Sequence, residues 1–178
     1  MNKFKSIKKQ LKFCIQSMEA SSSLFVVDPE RDFTRRRKYL FGNTMMNVLL
    51  LEAGSLKDEL FGLFGYTLDV PSVSSFVQAR DKIRPDAFCT LFKRFNEKTH
   101  APVLHKGFRL LAIDGSVLPV SNAMQDKETT VLKQNHTDVP FSAYHINTSY
   151  DLLEHTYDDV LIQGQAQMNE NGAFNHMV

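Results

Sequence analysis

Cysteine is scarce in this 178-residue chain, with only Cys14 and Cys89 present and no Cys-x-x-Cys or Cys/His ligand spacing. That pattern excludes a disulfide framework and a zinc site, and fits free thiols in a reducing cytoplasm. No run of about 18 apolar residues occurs, so the sequence contains no membrane-spanning segment. Internal repeats and low-complexity tracts are also absent. Met1 to Met18 contains no continuous apolar core of the kind a signal peptide needs. Its apolar residues fall at Phe4, Ile7, Leu11, Cys14/Ile15 and Met18, the spacing of an amphipathic helix.

What is present is an ordinary globular composition, 43% hydrophobic and 23% charged. The length suits one full domain, or a small domain plus part of another. The formal net charge of +1 hides an asymmetry. Residues 1–100 carry 17 Lys and Arg against 11 Asp and Glu, whereas 101–178 carry 4 against 9. A basic front and an acidic back suit a polyanion-binding module joined to a metal-binding one, and chance segregation of solvated charge is the alternative.

The first hundred residues read as helical. After the Ser21-Ser22-Ser23 break, Phe33 to Phe41 leads into a buried helix over Met45 to Leu51. Ser55 with Asp58 three residues on gives a capping-box-like start to a helix that Gly65 closes. Val70-Pro71-Ser72 is a turn before a short helix through Ser75 to Ile83. Pro85 opens the next helix, whose Phe88, Leu91, Phe92 and Phe95 form an apolar face for core packing. After His100 the pattern changes. Gly107 to Val120 reads as one or two strands and Ser121 to Pro140 as a loop. Ala143 to Tyr150 and His155 to Ile162 read as a hairpin, and Asn169 onwards as a helix.

Two groups of residues carry candidate chemistry. Leu110-Leu111-Ala112-Ile113 reads as a buried strand that ends on Asp114, with Gly115-Ser116 turning the chain. A carboxylate at the end of a rigid strand is well placed to hold a metal ion, and equally to bond its own turn. One carboxylate can begin a metal site but cannot complete it. The second group is basic: Arg35, Arg36, Arg37 and Lys38 are consecutive, so they splay around a loop or helix start where they can grip phosphates. Arg80 and Lys82 on the short helix, with Lys8, Lys9 and Lys12, extend that surface. A solvated charged face is the competing reading.

The order of these motifs resembles a known family. Arg35 to Phe41 leads into a hydrophobic helix, followed by Ser74-Ser75-Phe76-Val77-Gln78-Ala79-Arg80-Asp81-Lys82-Ile83. An aromatic-rich helix comes next, and then the Ile113-Asp114-Gly115-Ser116 strand. From about Phe33 onwards this is similar to the N-terminal half of DDE transposases of bacterial insertion-sequence family four. The resemblance implies an α+β chain, with a helical DNA-binding region over 1–105 and an incomplete RNase H-like mixed sheet over 106–178. It implies that Asp114 is the first of three acidic ligands for Mg²⁺ or Mn²⁺. In such enzymes two divalent ions activate the attacking oxygen and stabilise the leaving one.

The parent activity implied is Mg²⁺-dependent cleavage and strand transfer of transposon-end DNA. The implied partners are double-stranded transposon ends, with full-length transposase or a second copy of the chain as protein partners and no membrane. The implied location is a bacterial cytoplasm, at the nucleoid. The second catalytic Asp and the Glu of the family's Tyr…Arg…Glu…Lys helix lie beyond Val178, so an N-terminal fragment inactive by itself is expected. A DNA-binding regulator of transposition and a decayed remnant are the other function classes.

No other acid substitutes cleanly for those ligands. Asp151 lies in the hairpin turn, where solvation or turn bonding accounts for it. Asp158 and Asp159 are adjacent in a strand and face opposite sides. Glu170 is the one acid expected near Asp114, with stabilisation of its own helix N-terminus as the alternative. His136, His145 and His155 show no ligand spacing. Asn135-His136-Thr137 and Asn147-Thr148-Ser149 match the glycosylation pattern, without meaning in a cytoplasmic protein.

Overall fold

A computed structural model describes residues 3–35, 38–52, 54–121, 127–131 and 140–177. The chain divides into two compact units, residues 1–99 and 100–178. Together the described residues hold six helices and a four-stranded antiparallel sheet, an α+β composition. No helix among them is long and apolar enough to cross a membrane.

In the first unit the helical spacing of the opening segment produces α1 (Lys3–Glu19), whose Cys14, Ile15 and Met18 are buried. They pack with Phe25, Val26, Phe41, Met45, Ile83, Ala87 and Leu91 into the main core. Phe41 and Met45 come from α2 (Phe41–Leu50), which starts four residues before the expected Met45. The reason is the Phe41 ring, buried against Phe25 and Phe33, so the helix must already have begun there. Helix α3 (Leu56–Leu63) starts where its cap residues place it: the Asp58 amide donates to Ser55 Oγ at 3.3 Å, and Ser55 Oγ donates to Asp58 Oδ2 at 2.6 Å. Gly65 then takes φ +67°, a conformation natural to glycine at a helix end.

Helix α4 (Val73–Arg80) is capped by Ser72 and ends before Lys82. Helix α5 (Asp86–Thr99) follows Pro85 and buries Ala87 and Leu91. A second cluster joins Tyr39, Leu60, Phe76 and Ala79 between α3 and α4. The Tyr39 ring lies 5.5 Å from Phe76 and 5.9 Å from Phe64.

In the second unit the strands are β1 (Leu111–Val120), β2 (Thr130–Val131), β3 (Phe141–Asp151) and β4 (Thr156–Gly164). β3 is central, with β1, β2 and β4 all antiparallel to it. The expected mixed sheet is therefore antiparallel throughout the described residues. A parallel pair needs a long crossover connection, and β3 and β4 are joined by a tight turn. β2 falls in the segment read as a loop, because two residues are too few to give an alternating pattern. Helix α6 (Glu170–Met177) contacts β3 and β4 and buries Ala173 and Met177.

Two expectations about β1 are corrected. The strand is not buried: Val117 and Leu118 are each 50% exposed, and every residue of β1 is exposed or half-buried. Among the described residues it pairs only with β3, so its faces and outer edge lack the neighbours that bury a central strand. Nor does the chain turn at Gly115-Ser116, since β1 runs straight through to Val120. The glycine answers a different need. A Cβ on Gly115 would stand 2.6 Å from Nε2 of His145, which is buried beside it. Glycine inside a strand marks just such a close approach. Gly115→Ala is therefore expected to lower stability by about 1–3 kcal/mol, read as a shift of the thermal midpoint, because a packed ring must move to admit the methyl group.

Candidate functional site

Register fixes which residues share a face with Asp114. It stands opposite Thr148 on β3, which in turn stands opposite Val160 on β4. Asp114 is exposed, and its Oδ1 accepts the Gly115 amide at 2.9 Å. The self-bonding expected of a turn aspartate thus occurs, but inside a strand. The other expected partner fails. Glu170 sits on the opposite face, with Oε1 3.6 Å from His145 Nε2, and His145 is three residues from Thr148 along β3. Odd separations along a strand put side chains on opposite faces, so Glu170 and Asp114 do not meet.

The alternation expected to part Asp158 from Asp159 is interrupted by the register shift between them. Asp158 falls at a bulge and accepts Arg109, whereas Asp159 Oδ1 accepts the Val160 amide. No group of three His, Cys, Asp or Glu among the described residues is arranged to hold a metal ion. Mg²⁺ leans on one or two carboxylates with phosphate and water, and a two-ion centre needs more oxygen ligands than Asp114 supplies. The described residues do not complete such a centre. His136 lies outside the described residues.

The basic residues fare differently. Arg36 and Arg37 lie outside the described residues. Arg35 and Lys38, on either side of them, lie in irregular chain. Lys38 Nζ donates to Asp69 Oδ1 at 2.7 Å and to the Asp69 carbonyl at 2.8 Å. Its ammonium and the hydrogen bond to it hold the exposed Asp69 carboxyl below the ordinary carboxylate range. Lys82 pairs with Asp32 at 3.4 Å, and its ammonium stands 6.0 Å from the Phe33 ring centroid. Arg80 bonds its neighbour Asp81 through Nε and Nη2.

Arg35, Lys38 and Lys82 are brought together in the first unit, around a cleft of about 680 Å³ between residues 30–35, 38–39 and α4. Arg31 joins them. Arg80 does not line this cleft, and neither do Lys8, Lys9 and Lys12, which are exposed on α1. Lys82 reaches the cleft from just beyond α4 and not from a helical face. Burial pushes the Tyr39 phenol up from its ordinary value, and Tyr39 lines the same cleft.

A third constellation escaped the sequence. Asp151, fully buried, accepts Arg109 Nε at 3.1 Å and Nη2 at 3.0 Å on one oxygen, and the Leu153 and Glu154 amides at 3.0 and 2.9 Å on the other. Arg109 Nη2 also donates to Asp158 at 2.7 Å. His100 Nδ1 lies 3.3 Å from Glu154 Oε2 and 3.8 Å from Asp158 Oδ1. Turn bonding by Asp151 is as expected, but its solvation is not. The signal was weak yet available: Arg109 is one of four cations among nine acids after residue 100, directly ahead of a strand. The cluster fastens the start of β1 to the β3–β4 hairpin. Each acid in it has a cation, histidine or amide partner, although Glu154 Oε1 is buried without a hydrogen bond among the described residues.

Comparison with protein-family models, with curated proteins and with solved structures gave no match.

Proposed function

We propose that the chain is a transposase-derived DNA-binding protein of the DDE type of insertion-sequence family four, whose sheet unit is the opening part of an RNase H-like core. The observation that carries the reading is Asp114. It is an exposed carboxylate on the first strand of an antiparallel β1-β3-β4 array, with a helix following β4. That is the position the family resemblance implies for the first metal-ligating acid. The cations gathered around the cleft support the DNA side of the reading. The parent chemistry is Mg²⁺-dependent strand cleavage and transfer; the activity assigned to these residues is occupation of DNA.

Purified chain is expected to retard transposon-end duplex in a gel at low salt. With four phosphate contacts the affinity should fall roughly 100-fold between 50 and 200 mM salt. With pre-cut ends and Mg²⁺ or Mn²⁺ it should yield no strand-transfer product. Absence of retardation at low salt would remove the DNA reading. Clear product would show that the chain carries the full reaction and not only binding.

A further inference from the structure

The cleft between residues 30–35, 38–39 and α4 has more built into it than a charged surface needs. Small-molecule sites span roughly 300–1,000 Å³, and this one measures about 680 Å³. Among the described residues four cations line it, Arg31, Arg35, Lys38 and Lys82, with one acid, Glu30. Arg31 and Arg35 have no ion-pair partner among the described residues, whereas Lys38 and Lys82 are each matched by a carboxylate, Asp69 and Asp32. Tyr39 keeps its hydroxyl buried with no hydrogen-bond partner among the described residues. A buried hydroxyl normally finds one.

Phe33, also lining the cleft, holds φ +55°, a left-handed conformation that bulky side chains rarely adopt. The Phe41 ring packs edge-on against it at 5.8 Å, which keeps it there. Such strain gathers at ligand clamps.

We infer that this cleft seats a phosphate ester of nucleotide size, one phosphodiester unit of a DNA strand. The phosphate lies among the arginines and lysines, and the sugar and base lie against the apolar wall at Val70 and Pro71. Asp69 and Asp32 compete with the phosphate for the two ammonium groups, so they set the affinity from inside the protein. The choice of DNA as the source of the ester rests on the function proposed above; the cleft itself does not.

Fluorescence anisotropy with the whole chain tests it, using labelled duplex, the same labelled single strand, and unlabelled deoxyadenosine monophosphate as competitor. Arg35→Gln with Lys82→Gln should weaken DNA binding about tenfold and flatten the salt slope by about two. Asp69→Asn, at an exposed position that leaves the fold intact, should strengthen binding about threefold. Glu97→Gln, an equal charge change at an exposed position of α5 that does not line the cleft, should leave it unchanged. DNA binding untouched by the double variant overturns the cleft and leaves the DNA reading standing. Equal gains from Asp69→Asn and Glu97→Gln overturn it too, since a general field would act on both. Binding of the mononucleotide without binding of DNA keeps the cleft and removes the DNA reading. No binding of any probe at low salt overturns both.

Discussion

Asp151→Ala is expected to lower the unfolding midpoint of the second unit by about 10 °C or more, the largest loss from any single polar change there. The carboxylate is fully buried and takes four hydrogen bonds, two from Arg109 and two from the amides of Leu153 and Glu154. Its removal leaves two backbone donors of the hairpin turn unsatisfied and strips Arg109 of one of its two carboxylate partners. Leaving such groups without partners is worse than never having built them. Asp151→Asn keeps an acceptor for the two amides but turns a neutral group toward Arg109, so its loss should be smaller. Hydrogen exchange resolved along the chain checks the assignment: faster exchange should appear in β3, the turn and β4. Unchanged protection there would show that the hairpin stands without the clasp.

The same carboxylate makes the unit acid-sensitive. The Glu154 amide, the Leu153 amide and Arg109 together hold Asp151 below the ordinary carboxylate value, which is about 4. A carboxylate depressed in the folded state binds protons less readily there than in the unfolded chain. Its stabilisation is therefore full above about pH 5 and fades as the pH falls through the depressed folded value. The Asp151 contribution should be flat from neutral pH down to about pH 5 and fall below it. In Asp151→Asn the acid fall should be shallower, because the group that titrates is gone.

How much of this was legible in the sequence depends on where the information sits. Helical spacing gave α1, the Ser55–Asp58 pair gave the start of α3, and alternation gave β3 and β4, because each signal is local and repeats along the chain. Asp114 was legible as a strand carboxylate. Its surroundings were not, since the face it shares is decided by register with residues more than thirty positions away. Gly115 misled for a related reason: glycine serves turns and close approaches alike, and only the position of His145 tells them apart. The Arg109 clasp joins residues 100, 109, 151, 154 and 158, and no spacing rule connects a segment before a strand to a hairpin forty residues on. Arg35 and Lys38 stood out as a charge run. That they share a cleft with Lys82 follows from residues 30–35 and 38–39 lying against α4, which a helix-by-helix reading cannot supply.

Phe76→Ala is expected to lower the stability of the first unit by about 3–5 kcal/mol, the range for truncating a buried aromatic side chain. Phe76 is completely buried, and with Tyr39, Leu60 and Ala79 it forms the cluster between α3 and α4. The effect should not be uniform within the unit. Cys14, Met18, Met45 and Leu91 belong to the other core, and Phe33 is the partly buried residue that packs against both. Hydrogen exchange should therefore quicken first in α3 and α4, and less in α1 and α5. Phe76→Leu, which keeps most of the volume, should lose far less. The substitution also reaches the cleft, because the Tyr39 ring that lines it rests 5.5 Å from Phe76. Under the proposed DNA reading, affinity at a temperature where the variant is still folded should fall along with the stability. An intact affinity in a destabilised Phe76→Ala chain would show that the cleft keeps its shape without this support.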